Sequence, residues 1–329
     1  MTDVAEVLTR DVLEQRLDSH RRELTGYCYR MLGWGFDAED AVQEAMLRAW
    51  RGLDGFAGRS SLRSWLYRIA TNVCLDSLNG RNARALPMDL SATPSPPVES
   101  SLGAPQPEST WVGPIGDAAV LPTSTDPADV AVVRESVRLA FVAALQYLPP
   151  KQRAVLILRD VLRWKAEEVA GLLGITVAAA NSALQRARTT MAAHDLDPPR
   201  AVDPDDAAQQ ALLERYVQAF ESYDMDALVA LLNTDATQSM PPFAMWLSGS
   251  ADIAAWMLGV GKGCRGSRLL PVRVNGRPGF GQYRVSPAGG HEPWGLQVLD
   301  VSAGKIARIT SFIDPAVFPL VGLPERLPG

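Results

Sequence analysis

The sequence predicts a multidomain chain in which two all-α domains precede a C-terminal α+β domain. Three observations predict it. Apolar residues recur at helical spacing from Leu17 to about Arg84, and again from about Asp129 to His194. Between those blocks, residues 91–133 hold eight prolines and no lysine or arginine, the composition of a mostly extended linker. After Asp235 the pattern changes to short runs of strand-favouring residues, divided by the hairpin signals Asn275-Gly276 and Ser302-Ala303-Gly304. A length of 329 residues accommodates two to three compact units.

The composition is that of a globular protein, 47% hydrophobic and 21% charged. No apolar run reaches bilayer length, and Met1 to Arg10 lacks a basic start followed by an apolar stretch, so a cytoplasmic chain without membrane contact is expected. Cys28, Cys74 and Cys264 show no C-x-x-C spacing, and His20, His194 and His291 never stand four apart. No disulfide framework, metal or cofactor is expected from them. The net charge of −5 is unevenly spread: residues 134–195 carry nine basic against five acidic groups, whereas residues 91–133 carry five acidic groups alone. The basic stretch is the one that reads as a helix-turn-helix.

In the first block, Asp37 suits the N-cap of a helix over 37–50, and Asp40 adds negative charge to its first turn. Val42, Met46, Ala49 and Trp50 fall on the face expected in the core. Asp40, Gln43, Glu44 and Leu47 form an acidic and apolar stripe on the other side. Farther on, Trp65, Leu66 and Ile69 read as core.

In the second block, residues 148–162 read as one helix entered after prolines, and residues 165–173 as another closed by Gly174. Thr176 suits the N-cap of a third helix reaching about Met191. Val177, Ala180, Leu184, Ala187 and Met191 are its expected buried side. Ala178, Ala179, Ser182, Gln185, Arg186 and Thr189 face outward, where small residues permit close approach to a major groove and the polar ones reach bases or phosphates. Beyond the boundary at 197–204, residues 207–232 read as two helices. Strands are expected at 268–274, 281–285, 296–301 and 306–312, giving a helix-on-sheet domain.

Asp37-Ala-Glu-Asp-Ala-Val-Gln-Glu44, followed by Phe56-Ala-Gly58 and by Ser61, Trp65, Leu66, Ile69, Ala70 and Asn72 at their spacing, resembles the second conserved region of extracytoplasmic-function (ECF) sigma factors. The opening Leu148-Pro149 with Arg153 and Val155, and the closing Leu184 with Arg186-Ala187-Arg188, resemble the fourth region of that family. The resemblance implies domains at 1–85 and 131–195 joined by an acidic linker at 86–130. It implies that the helix over 37–50 docks on a coiled-coil clamp of RNA polymerase core through Asp40, Gln43, Glu44 and Leu47. It also implies that the next loop and helix read an unpaired minus-ten strand. Arg59, Ser60, Arg63, Arg68, Asn72, Asn79, Arg81 and Arg84 offer the cationic and polar groups such a strand needs.

For the minus-thirty-five element, with the helix-turn-helix resting on the polymerase flap, the candidates are Ser182, Gln185, Arg186 and Arg188. Arg188 is a candidate for phosphate or for a structural ion pair. Asn181 and Ala183 stand where relatives often carry Lys or Arg, which implies a weaker or differently specified contact. The linker is implied to run through the polymerase cleft, either imitating nascent RNA by its acidity or serving as a plain tether.

Residues 205–329 resemble SnoaL-like members of the nuclear-transport-factor cone fold, on the helix pair around Tyr216–Asp224, on Asp235-Ala-Thr237, and on Ile309-Thr-Ser-Phe-Ile-Asp314. Such a cone implies a pocket, with Met240, Trp246, Trp256, Phe280, Tyr283, Trp294 and Phe312 as its candidate lining and a small apolar ligand as a candidate occupant. Related cones include enzymes that use Asp and His; Asp235, His291 and Asp314 are the candidates here, although the expectation is regulation in cis rather than catalysis. The alternative for the whole chain is a ligand-responsive helix-turn-helix regulator that does not bind core polymerase. Segments 37–50 and 56–76 discriminate the two, because a simple repressor has no use for a clamp-binding helix.

Overall fold

The computed structural model describes residues 17–53, 56, 60–122, 127–193 and 206–328. They divide into two compact units, one drawn from Met1–Asn82, Ala119–Val137 and Ala144–Leu196, the other from Ala83–Ala118, Arg138–Ala143 and Asp197–Gly329.

In the first unit, α1 (Arg21–Leu32), α2 (Gly35–Gly52) and α3 (Leu62–Leu78) pack around Leu24, Tyr27, Met31, Val42, Leu66 and Ala70, all fully or nearly fully buried. Gly33, at φ 78°, ends α1 by donating its N–H to the Tyr29 carbonyl. The Tyr27 and Thr71 hydroxyls lie 2.8 Å apart in this core. Thr71 spends its proton on the Tyr67 carbonyl at 2.6 Å, so Tyr27 is the donor of that pair. The helix over 37–50 differs from expectation at its start. It begins at Gly35, with Trp34 as an N-cap that makes no side-chain bond, and Asp37 sits inside the first turn.

The same unit holds the helix-turn-helix. α4 (Leu139–Gln146), whose first five residues fall in the second unit, is followed by α5 (Pro150–Leu156), α6 (Ala166–Leu173) and α7 (Val177–Ala192). The helix expected over 148–162 starts at Pro150 and widens into a π-turn at Ile157–Val161. Gly174, at φ 65°, closes α6 with its N–H on the Ala170 carbonyl, and the Thr176 hydroxyl accepts from the Ala179 N–H at 3.1 Å to start α7. Both punctuation marks are where the sequence puts them. Ala154, Val155, Leu158, Val169, Ala180, Leu184 and Ala187 fill the space between these helices.

In the second unit, α8 (Ala207–Ser222), α9 (Met225–Leu231) and α10 (Ser250–Leu258) accompany a six-stranded sheet. Its strands are β1 (Leu232–Ser239), β2 (Trp246–Ser248), β3 (Arg268–Val274), β4 (Arg277–Val285), β5 (His291–Ser302) and β6 (Lys305–Phe312), in the order β2-β1-β6-β5-β4-β3. β3 to β6 form the expected meander, and β1 closes on β6 in parallel. Both turn signals hold: Asn275 and Gly276, like Ala303 and Gly304, have positive φ, as a tight two-residue hairpin requires. β4 begins earlier than expected, because Arg277-Pro278-Gly279 reads as turn chemistry. A Cβ on Gly279 would stand 2.8 Å from the Gln297 carbonyl oxygen, so only glycine lets β5 approach there.

Residues 83–118 belong to this second unit. Their extended course carries only short helical turns, and the backbone pairs with the cone. The Ser95 N–H donates to Trp246 O at 2.8 Å, the Gln106 N–H to Pro242 O at 2.8 Å, and the Trp246 indole N–H to Ser91 O at 2.9 Å. At the β3–β4 hairpin, Ile115 and Asn275 exchange two bonds, and Asp117 accepts from the Gly276 N–H at 2.7 Å. No helix among the described residues is long and apolar enough to cross a membrane.

Candidate functional sites

The outer face of α2 combines acid with exposed apolar surface. Asp40 and Gln43 are exposed, and Glu44 is half-buried with its carboxylate 2.6 Å from Arg48. Leu47 is 43% and Trp50 46% exposed, so Trp50, expected in the core, belongs to the outer face instead. Partial burial, helped by the neighbouring Asp40, raises the Glu39 carboxyl above its usual range. The outer face thus presents a large apolar pair at i, i+3 flanked by carboxylates.

The residues expected to hold a melted strand are placed unequally. Asn72 and Asn79 are exposed on and just after α3, and Ser60 is half-buried just before it. Arg68 is exposed and donates to Gly171 O at 3.3 Å, and Arg81 pairs with Asp37 at 2.8 Å. Arg63 turns inward: it bonds Glu23 at 2.9 Å and lies over the Tyr67 and Trp164 rings at 5.2 and 5.3 Å. Burial alone would raise the Glu23 carboxyl, but the His20 hydrogen bond and the Arg63 charge outweigh it and hold Glu23 below its ordinary value. Arg84 departs from expectation. It is buried and donates to Glu108 O at 2.7 Å and Trp111 O at 2.8 Å, because the chain folds back there to pair Ala85 with Trp111. Arg59 lies outside the described residues.

On α7, Ala178, Ala179, Ser182, Gln185, Arg186 and Thr189 are all exposed, and Ala180, Leu184, Ala187 and Met191 are buried. Two positions correct the sequence reading. Val177 is 37% exposed because it opens the helix, and Ala183 is 8% exposed because it packs inward, so its small size reflects packing. Arg188 makes two bonds to Asp160, at 2.9 and 2.7 Å, which raise its pKa and fix its head. Among the described residues no carboxylate pairs with Arg186, which leaves it as the free cation of that face.

The concave side of the second unit encloses a cavity of about 340 Å³. Met240, Trp256 and Trp294 line it as expected. The other four candidates do not. Phe280 is buried in the core beside Tyr216, and Trp246 spends its indole on Ser91. Tyr283 and Phe312 sit on the opposite face of the sheet, where Tyr283 meets Phe318 edge-on and bonds Pro324 O at 2.8 Å. Strand parity explains this: Gln282, Arg284, Gln297 and Ser311 face the cavity, so Tyr283 and Phe312, one residue away, cannot.

Sequence reasoning missed the polar floor of this cavity. The Tyr216 hydroxyl donates to Gln297 Oε1 at 2.8 Å, Gln297 Nε2 to Gln282 Oε1 at 3.0 Å, and Gln282 Nε2 to Ser267 Oγ at 3.1 Å. Burial pushes the Tyr216 hydroxyl upward, so it stays a donor. Counting strand residues from Phe280 would have found Gln282. Asp235, His291 and Asp314 do not line the cavity; Asp314 caps the turn at Ala316, and His291 contacts Gly266 O.

Comparison with known proteins follows this layout. Residues 17–84 match Sigma-70 region 2, residues 138–191 match Sigma-70 region 4, and residues 213–309 match the SnoaL-like domain. The chain is 28% identical to the ECF RNA polymerase sigma factor SigJ of Mycobacterium tuberculosis over 319 residues, covering 93% of each. The crystal structure of Mycobacterium tuberculosis SigJ superposes with a TM-score of 0.59 at 25% identity, over 94% of this chain and 99% of that one. Identity reaches 44% over 322 residues with the ECF RNA polymerase sigma factor SigG of the same organism, covering 94% of this chain and 83% of SigG. With two sigma regions and a SnoaL-like domain in one chain, and that degree of identity along nearly its whole length, this protein belongs to the ECF RNA polymerase sigma factor family.

Proposed function

We propose that this sigma factor engages RNA polymerase core through the outer face of α2, and promoter DNA through the α3 segment and α7, in the cytoplasm where polymerase works. The observation that carries the reading is the exposed Leu47–Trp50 pair beside Asp40 and Glu44, a surface that a helix-turn-helix repressor does not need. Asn72, Asn79, Arg68 and Arg81 are the minus-ten candidates at the surface, with Arg63 joining them once it leaves Glu23. Ser182, Gln185 and Arg186 serve the minus-thirty-five element, and Arg188 orders the helix through Asp160.

The cone acts as a regulator in cis with a receptor cavity for a small, mainly apolar ligand. The neutral glutamine relay in its floor, with Asp235, His291 and Asp314 all outside it, supports binding rather than acid–base turnover. Reconstituted transcription tests both parts. Core polymerase with this protein yields promoter-specific transcripts, and Asp40→Ala weakens core binding; absence of both effects rejects the sigma assignment of α2. A chain ending near Arg200 changes promoter output or core affinity; if neither moves, the cone is not a regulator.

A further inference from the structure

We propose that the cone cavity is a receptor site for a small organic acid with an apolar body, and that its occupancy is coupled through Leu102 to the docking of residues 91–106. The inference rests on the reading of the cone as a regulator in cis. The walls set the body of the ligand: Phe220, Leu228, Phe243, Ile253 and Trp256 leave a space of about 340 Å³, at the small end of ligand pockets.

The polar groups set its head. Both relay oxygens, Gln297 Oε1 and Gln282 Oε1, are already occupied by donors, while each amide nitrogen has used one of its two N–H groups. Each amide therefore keeps one N–H with which to meet an acceptor on a ligand, beside the second lone pair of its oxygen. Arg284 is the one guanidinium in the lining. It lies 3.3 Å from the Trp294 ring centre and 3.3 Å from Cys264 Sγ, and its buried Nε has no hydrogen-bond partner. Among the described residues no carboxylate lies within ion-pair distance of it. A carboxylate on the ligand supplies the acceptor that Arg284 lacks, and an amine meets repulsion.

Leu102 is part of the cavity wall, yet it belongs to the segment between the two sigma regions. That segment is pinned on either side of Leu102, at Ser95 to Trp246 and at Gln106 to Pro242. A ligand touching Leu102 gains contact only while the segment is docked. By linkage, the ligand stabilises docking by the same factor that docking raises affinity.

The test uses the full chain and two fluorescent probes with the same apolar body, anilinonaphthalene sulfonate and the uncharged N-phenylnaphthylamine. Arg284→Gln weakens the sulfonate by about tenfold, the worth of one charge-assisted bond, and leaves the uncharged probe within about twofold. Arg284→Lys, which keeps the charge, retains most of the sulfonate affinity and decides the matter if Arg284→Gln fails to fold. Leu102→Ala weakens both probes by roughly threefold, and saturating sulfonate slows hydrogen exchange at the Ser95 and Gln106 amides. Sulfonate affinity indifferent to the charge at residue 284 overturns the acid receptor, and exchange at Ser95 and Gln106 unmoved by the probe overturns the coupling. Transcription run on the same preparations separates the readings. Protein that directs transcription but binds no sulfonate overturns this inference alone. Protein that binds it as stated, with output unmoved by removing residues beyond 200, upholds the receptor and overturns only regulation in cis.

Discussion

Arg153 of α5 donates to the backbone carbonyl of Met31 at the end of α1, so one buried guanidinium closes a helix terminus on a different element. It also bonds the Gln146 carbonyl at 3.0 Å, Gln146 Oε1 at 2.7 Å and the Leu148 carbonyl at 3.2 Å. Carbonyls at helix ends have no partner within the helix, and burial would leave them orphaned. Desolvation lowers the Arg153 pKa to about 10, and the four acceptors keep the group bound as a cation at neutral pH. Arg153→Met therefore lowers stability by about 3 kcal/mol, seen as a lower urea midpoint. Arg153→Lys recovers little, because one ammonium cannot span three carbonyls.

Acid weakens the first unit through Glu23. Its folded pKa lies below the unfolded value of about 4.3, since His20 and Arg63 outweigh its desolvation. The stabilisation is thus complete above the unfolded value and disappears as pH falls through the lowered folded one. Urea midpoints of the native protein drop below about pH 4, and Glu23→Gln shows a shallower drop over that window. Equal slopes in the two proteins would reject the role given to Glu23.

The two arginines in the second half of α7 are predicted to differ in their effect on DNA binding, because only Arg188 is held by Asp160. Arg186→Ala costs about 1–3 kcal/mol of promoter affinity if it reads a base, or lowers the salt slope by about one if it holds a phosphate. Arg188→Ala, already satisfied by Asp160, changes affinity less and acts mainly on the order of the helix. Titrations of promoter DNA at several salt concentrations distinguish them, and equal losses would reject the assignment.

On α2, Leu47→Ala and Trp50→Ala each weaken core polymerase binding by about 1–2 kcal/mol. Both side chains are nearly half exposed, so thermal unfolding shifts less than it would for a core residue. A fall in melting temperature with unchanged core affinity would return Trp50 to a packing role.

The helix-turn-helix was legible in the sequence because its punctuation is local: Gly174 must take positive φ and Thr176 must cap, and both do. Trp50 was misplaced because eight residues beyond Val42 is about 80° around a helix, the edge of the buried stripe. The N-cap was misplaced by three residues, at Asp37 rather than Trp34, because Gly35 continues directly from the α1 turn. In the cone, β3 and β6 were read within their bounds, whereas polar β1, with Asn233, Thr234 and Asp235, carries little strand signal. Tyr283 and Phe312 failed on parity, since a shift of one residue exchanges the faces of a sheet. Arg84 and Leu102 depend on contacts with residues distant in sequence, which neither periodicity nor composition encodes.

β6 lies in the interior of the sheet, flanked by β5 and β1, although it is the last strand made. On the ribosome, β1 therefore waits for its neighbour until residue 312 has emerged, long after the residues of α1 to α7 are complete. Each newly made molecule passes through an interval in which the helices of its two sigma regions exist ahead of a complete SnoaL-like sheet, and a nonsense mutation between α7 and β6 would make that interval permanent.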